Sequence, residues 1–88
     1  MYNFFFVINN DNEKKMNEIQ LYIKVGQKIR KIRDRENLSQ QELADRCNFE
    51  KSNMSRIEAG RTNLTLKTLY TISNALSVSI KDFFNFEE

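Results

Sequence analysis

The side chains of this sequence best suited to chemistry crowd into one short stretch. Between Phe49 and Gly60 it runs Glu50-Lys51-Ser52-Asn53-Met54-Ser55-Arg56-Ile57-Glu58-Ala59. Met54 and Ile57 make an inward pair at helical spacing, and at about 100° per residue Ser52, Ser55, Arg56 and Ala59 then fall on the opposite side. Apart from Arg56 these are small. A helix exposed only for solubility carries longer charged groups there. Slim polar side chains with a few long donors at the edges suit a helix that slides into a groove and hydrogen-bonds its walls. That chemistry is recognition rather than bond-making. The chain has no histidine, and no nucleophile, base and orienting group converge in any motif, so an enzyme is not expected. A single cysteine, Cys47, excludes an internal disulfide and a cysteine metal cage, and no cofactor is expected.

Such a face needs a frame. The 88 residues include no proline, only two glycines (Gly26 and Gly60) and 40% hydrophobic residues, which suits helices joined by short turns around a modest core. From about Asn17 to Glu36, Leu21, Tyr22, Val25, Ile29 and Ile32 recur at three- and four-residue steps as one apolar stripe. Lys24, Lys28, Lys31 and Arg35 lie mostly off it and read as a solvated face. Asn37 suits the left-handed position that ends a helix. Ser39 with Glu42 three residues on forms a capping box, after which Leu43, Ala44 and Cys47 face inward. Ala44 is small enough for a second helix to cross closely. Asn48 marks the turn, Phe49 plugs its corner, and Gly60 ends the following helix. Thr65 caps a fourth helix through Leu66, Leu69, Ile72 and Leu76. Ser79 with Asp82 opens a fifth, short one holding Ile80, Phe83 and Phe84.

Charge is distributed unevenly. Lys24 to Arg61 holds ten Lys/Arg against six Asp/Glu, a net +4, while each flanking segment is −1. A basic centre suits a polyanion partner. The apolar start, Tyr2 to Ile8, lacks the basic residues and cleavage site of a secretory signal and is too short to span a bilayer, so no membrane partner is expected and the cytoplasm is. Residues 1–15 read as an N-terminal arm or tail, with Met16 as an alternative start.

The residues Val25-Gly26, Ile29, Ile32-Arg33, Leu38-Ser39-Gln40, Leu43-Ala44, Met54-Ser55-Arg56-Ile57-Glu58 and Gly60, followed by Leu66, Leu69, Ile72 and Ala75-Leu76, resemble the Cro/C1-type (XRE family) helix-turn-helix. The resemblance covers roughly residues 20–86. It implies an all-α, compact five-helix bundle of the lambda-repressor-like type over residues 16–88, with a central helix-turn-helix and the short arm in front. It further implies a sequence-specific DNA-binding transcriptional regulator of bacterial or phage-host cytoplasm. Such a protein is a small homodimeric repressor or controller that occupies a palindromic operator in double-stranded DNA, with no small-molecule ligand. An antitoxin-type autoregulator, or an interaction module that keeps the fold without DNA, are the alternatives.

Residue roles follow from the same resemblance. Gln40 would contact a DNA phosphate, and Lys51, Ser52 and Ser55 would face the bases. Asn53 and Arg56 would flank them, while Arg61, Thr62 and Asn63 would track the backbone. Arg33 and Glu58 would pair in a structural salt bridge. Independently of the resemblance, one or two of Phe83, Phe84 and Phe86 should fill the core, and the remainder with Ile80 would form an exposed apolar patch on the fifth helix, the expected dimer interface. Asn48, Lys51, Leu64 and Ser77 depart from the family's usual residues, and Lys51 leaves the operator sequence open.

Overall fold

The structure, a computed structural model, describes residues 16–87. Four α-helices follow one another: α1 (Glu18–Arg35), α2 (Gln40–Cys47), α3 (Lys51–Glu58) and α4 (Leu66–Leu76). A 3-10 helix, Ile80–Phe84, closes the sequence of elements. The fold is all-α, and the expected fifth helix is this five-residue 3-10 segment. The arm expected over residues 1–15 lies outside the described residues.

Three of the four α-helices start where a side chain takes up an otherwise unpaired backbone N–H. Asn17 Oδ1 accepts from Gln20 N at 2.8 Å and Gln20 Oε1 accepts from Asn17 N at 3.0 Å, a reciprocal box that starts α1. At α2, Ser39 Oγ accepts from Glu42 N at 3.0 Å and Glu42 Oε1 accepts from Ser39 N at 2.7 Å. That second bond, with its partner from the hydroxyl, holds the Glu42 carboxyl below the usual carboxylate range. Thr65 Oγ1 accepts from Thr68 N at 3.0 Å to open α4. α3 is the exception, because its N-cap Glu50 makes no side-chain bond there. Three helices end on left-handed residues other than glycine: Asn37 at φ 58° after α1, Asn48 at φ 60° after α2 and Ser77 at φ 57° after α4. Asparagine tolerates that region better than most residues, whereas serine at 77 is the less usual choice.

The core is a single cluster. Val25, Ile29 and Ile32 of α1 meet Leu43, Ala44 and Cys47 of α2, Met54 and Ile57 of α3, and Leu69, Ile72 and Leu76 of α4. Phe83 plugs the base and is fully buried. Burying a side chain of that size contributes about 1.5–3 kcal/mol, so the 3-10 segment anchors the bundle through this one ring. Lys28 corrects the expected solvated face of α1. It is buried, on the side of α1 where Asn85 and Phe86 come close.

Candidate nucleic-acid interface

The geometry of α3 is set from beneath by α1 and α2. Three residues, 48–50, separate α2 from α3. Phe49 N donates to Ala44 O at 2.8 Å, which closes the turn, and half-buried Phe49 packs on the core. Ala44 is fully buried in the core cluster, where its small side chain takes little room between packed helices. Across α1 the approach is closer still. A Cβ on Gly26 would lie 2.5 Å from the Ile57 carbonyl oxygen and 2.6 Å from that of Glu58. Gly60, at φ 74°, turns the chain after α3 against the backbone of Ile23. Both glycines of the chain therefore serve one crossing, that of α1 with α3.

A charged clamp locks the same crossing. Arg33 Nε donates to Glu58 Oε2 at 2.7 Å and Arg33 Nη2 donates to Glu58 Oε1 at 2.9 Å, a bidentate pair. Arg33 Nη1 donates to the Leu38 carbonyl at 2.7 Å, just ahead of the α2 cap. The side chains are 9% and 3% exposed. The hydrogen bonds that Arg33 donates to Glu58 outweigh the burial of the guanidinium and raise the Arg33 pKa further above its already high value. Gln40, expected at a DNA phosphate, turns inward as well: its Nε2 donates to Glu58 Oε1 at 3.0 Å. An amide has two donor hydrogens, so this bond occupies one and leaves the other. The clamp thus joins α1, the first turn of α2 and the last turn of α3.

Above it lies the outward face. Lys51, Ser52, Ser55 and Arg56 are exposed, Asn53 is half-buried, and Met54, Ile57 and Glu58 face the core side. Lys51 opens α3 and Arg56 lies near its end, with the two serines between them. Arg61 N donates to Arg56 O at 2.9 Å, which folds the following loop back on the helix end. In that loop Arg61 and Asn63 are exposed and Thr62 is half-buried. Lys51, Ser52, Ser55 and Arg56 therefore share the outward side of α3, cationic at both ends and hydroxyl-lined between them.

The expected dimer residues do not gather in this way. Phe83 is at 0% exposure within the subunit, so it belongs to the core and not to an interface. Ile80 and Phe86 are half-buried against the core, and Lys24 Nζ lies 5.8 Å from the Phe86 ring centroid. Phe84 is 42% exposed, with its ring tilted against Phe86 at 6.3 Å.

Two further contacts gave little sign in the sequence. Arg46 Nη1 donates to the Ala75 carbonyl at 3.2 Å, tying α2 to the C-terminal end of α4, where a cation complements the helix dipole. The Asn17–Gln20 box had the right residue types, but the polar run around it masked them. Among the described residues no cluster of three or more His, Cys, Asp or Glu could hold a metal, and no helix is long and apolar enough to cross a membrane.

Comparison with known proteins bears directly on this arrangement. A sequence model of a helix-turn-helix family matches residues 29–83, from mid-α1 to the end of the core. The chain is 42% identical over 62 residues to control protein C.BamHI of Bacillus amyloliquefaciens, covering 69% of this chain and 76% of that one. It is 38% identical over 56 residues to the immunity repressor protein of Bacillus phage phi105, covering 64% of this chain and 39% of the repressor. The crystal structure of the restriction-modification controller protein C.AhdI from Aeromonas hydrophila superposes with a TM-score of 0.70 at 28% identity, covering 72% of this chain and 96% of that one.

Proposed function

We propose, from the premise that this chain belongs to the Cro/C1-type (XRE) helix-turn-helix family, that it works as a small dimeric repressor or controller occupying a palindromic operator. It is a DNA-binding transcription regulator and not an enzyme. The observation that carries the mechanism is the division of α3. One side is fastened to α1 and α2, and the other offers Lys51, Ser52, Ser55 and Arg56 to solvent.

A helix so held enters the major groove as a rigid body. The side chains of Lys51, Ser52 and Ser55 meet base edges, each good contact adding about 1–3 kcal/mol of discrimination. Asn53, Arg56, Arg61, Thr62 and Asn63 reach the sugar-phosphate backbone at the flanks. Gln40 donates its remaining amide hydrogen to a phosphate beside the N-terminus of α2, a position that also favours an anion. Backbone contacts supply most of the affinity and its salt dependence. Two copies bound to half-sites one DNA turn apart set their recognition helices about 34 Å apart. The protein acts where the cell's DNA lies, in the cytoplasm of a bacterium or phage host.

The test is selection of binding sites from a random duplex library, followed by titration of the selected site at several salt concentrations. The expected outcome is a two-fold symmetric site and an affinity that falls steeply with salt. Binding that ignores both salt and sequence would overturn the proposal.

A further inference from the structure

We propose that the groove between α1 and residues 85–86 is a binding site for a small molecule carrying a di- or triphosphate group. Four cations line it among the described residues, Lys24, Lys28, Arg30 and Lys31, against one carboxylate, that of Asp34. Over the whole chain Lys and Arg number 14 and Asp and Glu 12, so four to one in a single hollow is a local concentration. Its volume of about 350 Å³ lies at the lower end of the range for small-molecule sites, roughly 300–1,000 Å³. A second hollow, beside Tyr22 and the loop Arg61–Asn63, shows the contrast: there Glu18 offsets Arg61 and nothing selects an anion.

Packing fixes where these charges stand. Lys28 is 6% exposed, so its stem is held within the wall of the groove. Half-buried Phe86 lines the groove as well, and Lys24 Nζ, 5.8 Å from the centre of that ring, is within reach of its cation–π attraction. Asp34 repels an anion less than a lone carboxylate would, because Arg33 Nη1 lies 3.3 Å and Arg30 Nε 4.0 Å from its oxygens. Gln27 and Asn85 add neutral amide donors. From Lys24 to Lys31 the helix rises about 10 Å at 1.5 Å per residue, further than one phosphate group reaches. Two or three linked phosphates engage both ends, which selects a di- or triphosphate over a lone phosphate. The groove also stands apart from the DNA-facing surface. At about 100° per residue, Lys24, Lys28 and Lys31 lie about 140–200° around α1 from Gly26, where α1 meets α3. A duplex seated on α3 therefore leaves the three lysines on the far side of α1, where the family resemblance implies no ligand.

Calorimetric titration of the full 88-residue chain with pyrophosphate, and separately with ADP, tests the proposal. It is done at about 0.15 M salt, where diffuse attraction between exposed charges is largely screened. The expected result is one bound probe per chain. Pyrophosphate binding as tightly as ADP would mark the phosphates as the whole ligand, and tighter ADP would mark a nucleotide; both support the site. Lys24→Gln with Lys31→Gln should weaken binding about tenfold or more, whereas Asp34→Asn should tighten it. The control pair Lys67→Gln with Lys81→Gln removes the same charge outside the groove and should bind as wild type does. All five positions are exposed, so melting curves without ligand should stay close to that of wild type. Equal weakening by the control pair would reduce the effect to net charge and overturn the site. Absence of binding by either probe up to about 1 mM would do the same. If Lys24→Gln with Lys31→Gln weakens a selected operator duplex as much as it weakens the probes, these lysines meet DNA and the proposal fails.

Discussion

One side of α3 carries Met54, Ile57 and Glu58 and is shut against α1 and α2, while the other carries Lys51, Ser52, Ser55 and Arg56 and is open to solvent. Eight residues thus obey two sets of constraints at once. On the closed side shape and hydrogen bonding act together: Gly26 admits the helix and the Arg33–Glu58 clamp holds it. On the open side the fold asks only for residues that a helix tolerates. Substitutions on the closed side should therefore read out as stability, and those on the open side as affinity or sequence preference.

The largest effect should come from halving the clamp. Glu58→Ala strands a buried guanidinium and removes the bond to Gln40, and should cost about 3–5 kcal/mol in urea unfolding. The double variant Arg33→Met with Glu58→Leu should recover much of that, because no charge is then left unpaired. If Glu58→Ala loses only DNA affinity, with an unchanged unfolding midpoint, the boundary between the two sides is drawn in the wrong place.

Gly26→Ala comes next. The new methyl would meet backbone oxygens, which cannot rotate away as a side chain can. Overpacking of this kind costs about 1–3 kcal/mol, and here α3 must shift to accommodate it. Melting temperature and DNA affinity should fall together. A drop in affinity alone would show that α1 gives way without unfolding.

On the open side, Arg56→Ala should change stability by less than about 0.5 kcal/mol. If it meets a phosphate, it should flatten the slope of log affinity against log salt by about one, equally for every operator sequence. Ser55→Ala should leave that slope alone and alter the preference among selected sites. The reverse pattern would exchange the two roles.

This contrast also explains what could be read from the chain before its fold was known. The closed side was legible in part: Ala44 is a small residue at an inward position, as a close crossing needs, and Gly60 reads as a helix end, whereas the Arg33–Glu58 pair followed only from the resemblance to the family and the close approach at Gly26 from neither. The α-helical starts at Ser39 and Thr65 were legible because capping needs particular residue types at fixed offsets. Lys28 was misjudged because a lysine stem can line apolar surface, so charge is a poor guide to burial for a long side chain. The inward turn of Gln40 and the contact of Arg46 with Ala75 depend on how helices distant in sequence sit together, which periodicity along one helix does not encode. The last segment looked like another α-helix because its Ser79–Asp82 box serves a 3-10 turn equally well, with Ser79 N donating to Asp82 Oδ2 at 3.1 Å.

The smallest effect at neutral pH belongs to Cys47, a buried thiol on α2 in the core beneath α3. Burial pushes the Cys47 thiol up to about 11 from an ordinary value of 9.0. The folded state therefore holds its proton more tightly than the unfolded chain does. The resulting stability is fully present below the unfolded value and is lost as pH rises through the folded one. Between pH 9 and 11, wild-type stability should fall more steeply than that of Cys47→Ala. The two curves should run parallel near neutrality, offset only by the lost packing of the sulfur. Both proteins share every other ionisable group, so the difference in slope isolates the thiol. Alkylation at pH 8 should be slow in the folded protein and fast in urea, since the reactive thiolate is scarce while the helices stay closed. Parallel curves throughout, with fast alkylation of folded protein, would mean that α2 opens readily beneath α3, and the closed side would then no longer be the rigid half of the comparison.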